Sequence, residues 1–121
     1  MWAKLDDTTW RDPKMTALSD AAFRLYLCMT AYSADNLTDG VLEQRQVEQV
    51  AAVNGLHKKW PALATQLLTL GLLESEDNRW TIVGYLDRNP RREDYEARRQ
   101  RDKKRLKDWR ANHQLRVVDG A

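Results

Sequence analysis

Gly71-Leu72-Leu73-Glu74-Ser75-Glu76-Asp77-Asn78-Arg79-Trp80-Thr81-Ile82-Val83 is the stretch whose reading decides the fold. Leu72–Glu76 and Arg79–Val83 read as two short strands, and Asp77-Asn78 between them are residue types that tolerate the backbone of a tight two-residue turn. A β-hairpin is therefore expected. Immediately before it, Lys58–Leu70 places Trp60, Leu63, Ala64, Leu67, Leu68 and Leu70 at helical spacing. Pro61 falls in the first turn, where a missing N–H is tolerated, and Gly71 is the stop.

Working outward, Glu43–Val53 predicts a helix with Val47, Val50, Ala51 and Val53 on its inner side, ended by Asn54-Gly55, because glycine adopts the left-handed conformation at little cost. Further upstream, Ser19 can cap a helix in which Ala21, Leu25, Cys28, Met29 and Tyr32 recur at helical spacing. That helix should stop near Ala34, before the turn chemistry of Asp35-Asn36 and Thr38-Asp39-Gly40, and Val41-Leu42 is a very short extended piece. Helix, short strand, helix, turn, helix and hairpin is the order of a winged helix-turn-helix. The expected class is thus mainly α with a small β-hairpin, followed by a basic C-terminal helix.

The chain of 121 residues has room for one small domain and an appendage. Its formal charge of +2 hides an asymmetry: residues 1–86 hold 8 basic and 11 acidic side chains, and residues 87–121 hold 12 basic and 7 acidic ones. Arg98, Arg99, Arg101, Lys103, Lys104, Arg105, Lys107 and Arg110, relieved by Asp102 and Asp108, carry +6 over thirteen residues. Asn89-Pro90 biases the backbone away from helix. The expected organisation is a winged-helix domain at residues 2–87 and a basic helix and tail at residues 88–121.

Several local phrases together resemble the N-terminal winged-helix domain of phage and prophage replication-initiation or replisome-organiser proteins, relatives of DnaD-type helicase loaders. They are Trp2, Lys4-Leu5-Asp6, Pro13-Lys14-Met15, Leu18-Ser19-Asp20-Ala21-Ala22, Leu37-Thr38-Asp39-Gly40, Leu68 with Gly71-Leu72-Leu73, Trp80, and Asn89-Pro90 followed by a basic helix. The likeness covers about residues 2–110, mostly at framework positions. It implies DNA binding or primosome assembly in a phage or mobile-element setting, with replication initiation or transcriptional regulation as the role. Longer relatives carry a further C-terminal domain that can engage a helicase; these 121 residues include none, which favours a small regulator or accessory factor.

In a winged helix the third helix normally enters the major groove. The candidate contacts to double-stranded DNA there are Lys58 and Lys59 for phosphates, Thr65 and Thr69 as adaptable polar groups, and Gln66, whose paired donor and acceptor suit adenine. Arg79 is the only base of the hairpin, against Glu74, Glu76 and Asp77, which repel phosphates. Arg98, Arg99, Arg101, Lys103, Lys104, Arg105, Lys107 and Arg110 complete the set, on a helix expected over about Glu93–Asn112 with acids at its start and an Asp94–Arg98 pair. Tyr95 and Trp109, fourteen residues apart, permit a weak homo-oligomer. The acidic hairpin motivates the alternative of a non-catalytic adaptor or inhibitor that binds a host or phage protein.

No catalytic, metal or cofactor site is expected. Cys28 sits between Leu27 and Met29 as a small hydrophobe, one cysteine and two histidines make no zinc set, and the five glycines form no phosphate loop. Asp6, Asp7 and Asp12 read as solvated or capping residues. Trp2, Trp10, Trp60 and Trp80 accompany apolar neighbours and are expected in the core. Without a signal-like start or a spanning apolar run, a cytoplasmic protein that does not enter membranes is expected.

Overall fold

A computed structural model describes residues 1–119, with side chains described through His113. Two compact units appear, Met1–Pro90 and Arg91–Ala121.

In the first unit a short 3-10 turn, Thr9–Arg11, leads into α1 (Pro13–Thr16). Asp12 caps α1 by accepting the Lys14 N–H at 2.9 Å. The central element is α2 (Asp20–Asn36). Ser19 Oγ accepts the Ala22 N–H at 3.2 Å, which satisfies one of the amides a helix start leaves open. Ala22, Leu25, Tyr26 and Met29 recur at three- and four-residue intervals and are all buried. The helix extends two residues past Ala34, because the Ser33 carbonyl accepts from both the Leu37 and Thr38 amides and Leu37 takes a left-handed φ of 53°.

Ser33 also ties this end of α2 to the sheet. Its buried hydroxyl lies 2.6 Å from Thr38 Oγ1 and accepts the Gly40 N–H at 2.7 Å. The chain then enters β1 (Val41–Glu43) and, without a break, α3 (Gln44–Val53). At that junction the Glu43 N–H donates to Gln46 Oε1 at 2.8 Å, half of a capping box. Val47, Val50 and Ala51 of α3 face the core. Val53 does not: it is 81% exposed, at the last position of the helix.

After Gly55 (φ 70°) and the buried Leu56, α4 runs Trp60–Thr69, with Pro61 in its first turn. It begins two residues later than the apolar spacing suggested, because Lys58 and Lys59 lie in the preceding turn. Leu63, Ala64 and Leu67 are buried, on a helix that packs mainly against α2, with Trp60, Leu68 and Leu70 at the margin of the core. Each fully buried aliphatic side chain contributes about 1.5–3 kcal/mol relative to exposure.

β2 (Leu73–Glu76) and β3 (Arg79–Ile82) form the expected hairpin. Asp77 and Asn78 both have positive φ, 51° and 61°, the signature of a type I′ turn. The sheet has three strands, in the order β1-β3-β2, all antiparallel; Val41 faces Thr81 and Leu73 faces Ile82. The extended piece at Val41-Leu42 is therefore an edge strand that makes β3 central.

The first unit closes with α5 (Tyr85–Arg88) and Asn89. Asn89 is 3% exposed; its Oδ1 accepts the Lys4 N–H at 2.9 Å and its Nδ2 donates to the Tyr85 carbonyl at 3.3 Å. Arg88 and Asn89 thus belong to the globular unit, although the Asn-Pro signal suggested a linker from residue 88. The second unit is one helix, α6 (Arg92–Asp119). The molecule is mainly helical with one small sheet.

Candidate nucleic-acid interface

At 28 residues, α6 is about 42 Å long, more than one turn of duplex DNA. Glu93 and Asp94 stand in its first turn, where the positive end of the helix dipole favours them. The ion pair formed there is Arg92–Glu96 at 2.9 Å; the expected Asp94–Arg98 pair is absent, as both side chains extend into solvent. From Glu96 to His113 every residue is exposed. On a helix of 3.6 residues per turn the bases form two ridges: Arg98, Arg101 and Arg105 on one side, Arg99, Lys103, Lys107 and Arg110 on the other, with Lys104 behind. Between the ridges runs a stripe of Tyr95, Asp102, Leu106 and Trp109, and Trp109 stacks on His113 with centroids 5.1 Å apart. Eight cations on a rod whose charged heads all reach water can meet phosphates without any desolvated charge left behind.

The first unit offers less. Lys58 and Lys59 are exposed in the turn before α4, beside exposed His57, so their ammonium groups stand near the positive end of that helix. Thr65 and Thr69 are exposed, but each hydroxyl donates back to its own helix, Thr65 to the Pro61 carbonyl and Thr69 to the Thr65 carbonyl, both at 2.9 Å. Gln66 is engaged elsewhere: its Oε1 accepts the Ser19 N–H at 2.9 Å and the Ser19 hydroxyl at 3.0 Å. The amide lacks the free donor–acceptor pair that adenine readout needs; it fastens α4 to the start of α2. Arg79 is exposed on β3, opposite Glu43 on one neighbour and Glu76 on the other. The hairpin surface with Glu74, Glu76 and Asp77 remains acidic, so among the candidates Lys58, Lys59 and the α6 bases are the groups with unencumbered positive charge.

The tryptophans divide in a way that the sequence reading missed. Trp60 and Trp80 pack edge to face, 6.1 Å apart at 82°, against the core. Trp2 and Trp10 are 90% and 78% exposed, so they are not core residues. The segment that carries them has no helix or strand before Thr9; it is held by the Lys4–Asn89 hydrogen bond and by Arg88, 3.8 Å from Asp6. Those anchors fix the backbone and leave the indoles outside. Asp6, Asp7 and Asp12 are matched in this segment by Lys4, Arg11 and Lys14, and Asp6 pairs with Arg88, so the charge around the two indoles is balanced. The only signal in the sequence is that Trp2 and Trp10 lie where no helical or alternating pattern surrounds them.

Tyr26 and Tyr85 are buried in the same unit. Burial pushes the Tyr26 phenol above its usual pKa, opposed by Arg88, whose Nη2 donates to the Tyr26 hydroxyl at 3.2 Å. Tyr85 is likewise raised by burial, with its hydrogen bond to Ser33 acting the other way. Cys28 is half-buried and its thiol donates to Asn54 Oδ1 at 3.3 Å. Among the described residues no three His, Cys, Asp or Glu side chains are grouped to hold a metal ion, and no helix is long and apolar enough to cross a membrane.

No family model, curated protein or solved structure matches the chain.

Proposed function

We propose that the protein is a DNA-binding protein of the winged-helix type, of the phage or mobile-element kind, acting in replication initiation or transcriptional regulation. The observation that carries the reading is α6, where eight bases between Arg98 and Arg110 project from a stretch, Glu96–His113, that is exposed throughout. Its phosphate contacts supply most of the affinity. The order α2, β1, α3, α4, β2, β3, with β1 and β2 on either side of β3, supports the winged-helix assignment. In that arrangement α4 is the groove-facing element, and Lys58 and Lys59 fix its position on the backbone; Gln66 has no part in base reading.

Replacing Arg98, Arg101 and Arg105 with glutamine tests this in an equilibrium binding assay on duplex DNA. The reading predicts a loss of at least about tenfold, equal on native-locus and random duplexes, and Lys58→Ala with Lys59→Ala, which also removes phosphate contacts, weakens binding to both duplexes alike by a smaller factor. Unchanged affinity in the α6 variant contradicts it.

A second reading is favoured by Trp2 and Trp10. Two exposed indoles suit a non-catalytic adaptor or inhibitor role against a host or phage protein. Under that reading Trp2→Ala with Trp10→Ala abolishes a protein complex and leaves DNA affinity unchanged.

A further inference from the structure

Beyond a contact with DNA, the stripe on α6, together with Arg99 at its edge, has the arrangement of a seam. Tyr95, Arg99, Asp102, Leu106, Trp109 and His113 follow one another at intervals of four, three, four, three and four residues, the a/d spacing of a coiled coil. Leu106 is 47% exposed and Trp109 60% exposed. Among the described residues neither Arg99 nor Asp102 forms an ion pair, although each has opposite charges within one helical turn.

We infer that α6 pairs with α6 of a second copy in antiparallel orientation, Arg99 of each facing Asp102 of the other. Charge complementarity selects the occupant and its direction. In a parallel pair Arg99 meets Arg99 and Asp102 meets Asp102, two repulsive layers. In an antiparallel pair centred between Gln100 and Arg101, both layers become Arg–Asp, and the same register sets Tyr95 against Leu106 on either side. Glu96 then faces Lys103 along one flank, a further attraction, while Arg98 faces Arg105 along the other. This last repulsion and the overall basic charge keep the association weak. Salt screens the attractive and the repulsive pairs alike, so the charge reversals, read at low salt, test the pairing. The inference does not depend on the DNA reading, because its test contains no DNA.

The test is sedimentation equilibrium of the full chain at 0.05 and 0.3 M NaCl, for wild type, Arg99→Asp, Asp102→Arg and the double reversal. Two exposed ion pairs exchanged for two like-charge contacts weaken association by about tenfold or more. The expected result is a dimer for wild type at 0.05 M NaCl, weakened at least tenfold by either single reversal and restored to within about threefold by the double one, with smaller differences among the four proteins at 0.3 M. A nitroxide at Asn112 reads the direction: antiparallel pairing separates the two labels by about 35 Å along the axis, parallel pairing by about 10 Å. A wild type that stays monomeric at 0.5 mM, equal association of all four proteins, or the short label distance overturns the inference.

Discussion

Gln66 and Ser19, 47 positions apart in sequence, are joined by two hydrogen bonds: Gln66 Oε1 accepts both the backbone N–H and the hydroxyl of Ser19. The same hydroxyl accepts the Ala22 N–H, so the cap of α2 and the face of α4 are one network. A residue with the chemistry to read adenine is used to fix two helices.

Gln66→Ala accordingly lowers stability by about 1–2 kcal/mol, the loss of two modest hydrogen bonds and a loosened cap. Gln66→Glu, which keeps an acceptor at the same reach, retains most of it. Urea denaturation measures both; a silent Gln66→Ala accompanied by relaxed DNA sequence preference would restore Gln66 to the readout role.

Gly40 is held against Tyr85. A Cβ at Gly40 would lie 2.6 Å from the Tyr85 Cβ, and its φ of 82° disfavours any side chain. Gly40→Ala should cost about 2–4 kcal/mol, from the left-handed backbone and overpacking together. Gly55 has φ 70° but nothing within 4 Å of such a Cβ, so Gly55→Ala carries only the backbone cost, about 1–2 kcal/mol. Thermal unfolding of the two variants should show Gly40→Ala as the clearly less stable protein.

The two buried tyrosines set an alkaline limit. Both phenols are raised above 10.0 in the folded protein, chiefly by burial, so the unfolded chain loses its protons first. Their contribution is complete below pH 10 and is lost as pH climbs through the folded values. Chemical denaturation between pH 8 and 11 should show stability falling above about pH 10, with a shallower fall in Tyr85→Phe. A fall of equal steepness in that variant would remove Tyr85 as a source.

Tryptophan truncation separates surface from core. Trp2→Ala and Trp10→Ala should change stability by less than about 0.5 kcal/mol, while Trp60→Ala and Trp80→Ala cost about 3–5 kcal/mol, with the partly buried rings at the low end. A Trp2 or Trp10 variant that unfolds would show that the N-terminal segment packs in solution.

Local chemistry made much of this fold legible. Ser19, Asn54-Gly55, Pro61 and Asp77-Asn78 act where their caps, breaks and turns suggest, because these residues constrain the backbone within a few positions. Three things escaped. Val41-Leu42 reads as a short extended piece, but nothing local shows that it pairs with β3 as an edge strand. Arg88 and Asn89 read as a linker after the Asn-Pro rule, yet partners far away in sequence, Tyr26 and Lys4, hold them in the globular unit. Trp2 and Trp10 were misread as core residues, because residue type suggests burial and only tertiary placement decides it; the same placement gives Gln66 a partner in Ser19 that its chemistry does not announce. For the candidate interface, the basic run of α6 was visible as composition, whereas its two ridges and the stripe between them emerge only with a continuous helix.

The account rests on α6 as the source of nucleic-acid affinity, and the salt dependence of binding tests that most directly. For the full chain on a random-sequence duplex, about five phosphates neutralised by the α6 bases predict that log K falls with log salt at a slope near −4 to −5. A slope near zero, or the same affinity and slope in a chain ended at Pro90, would contradict it.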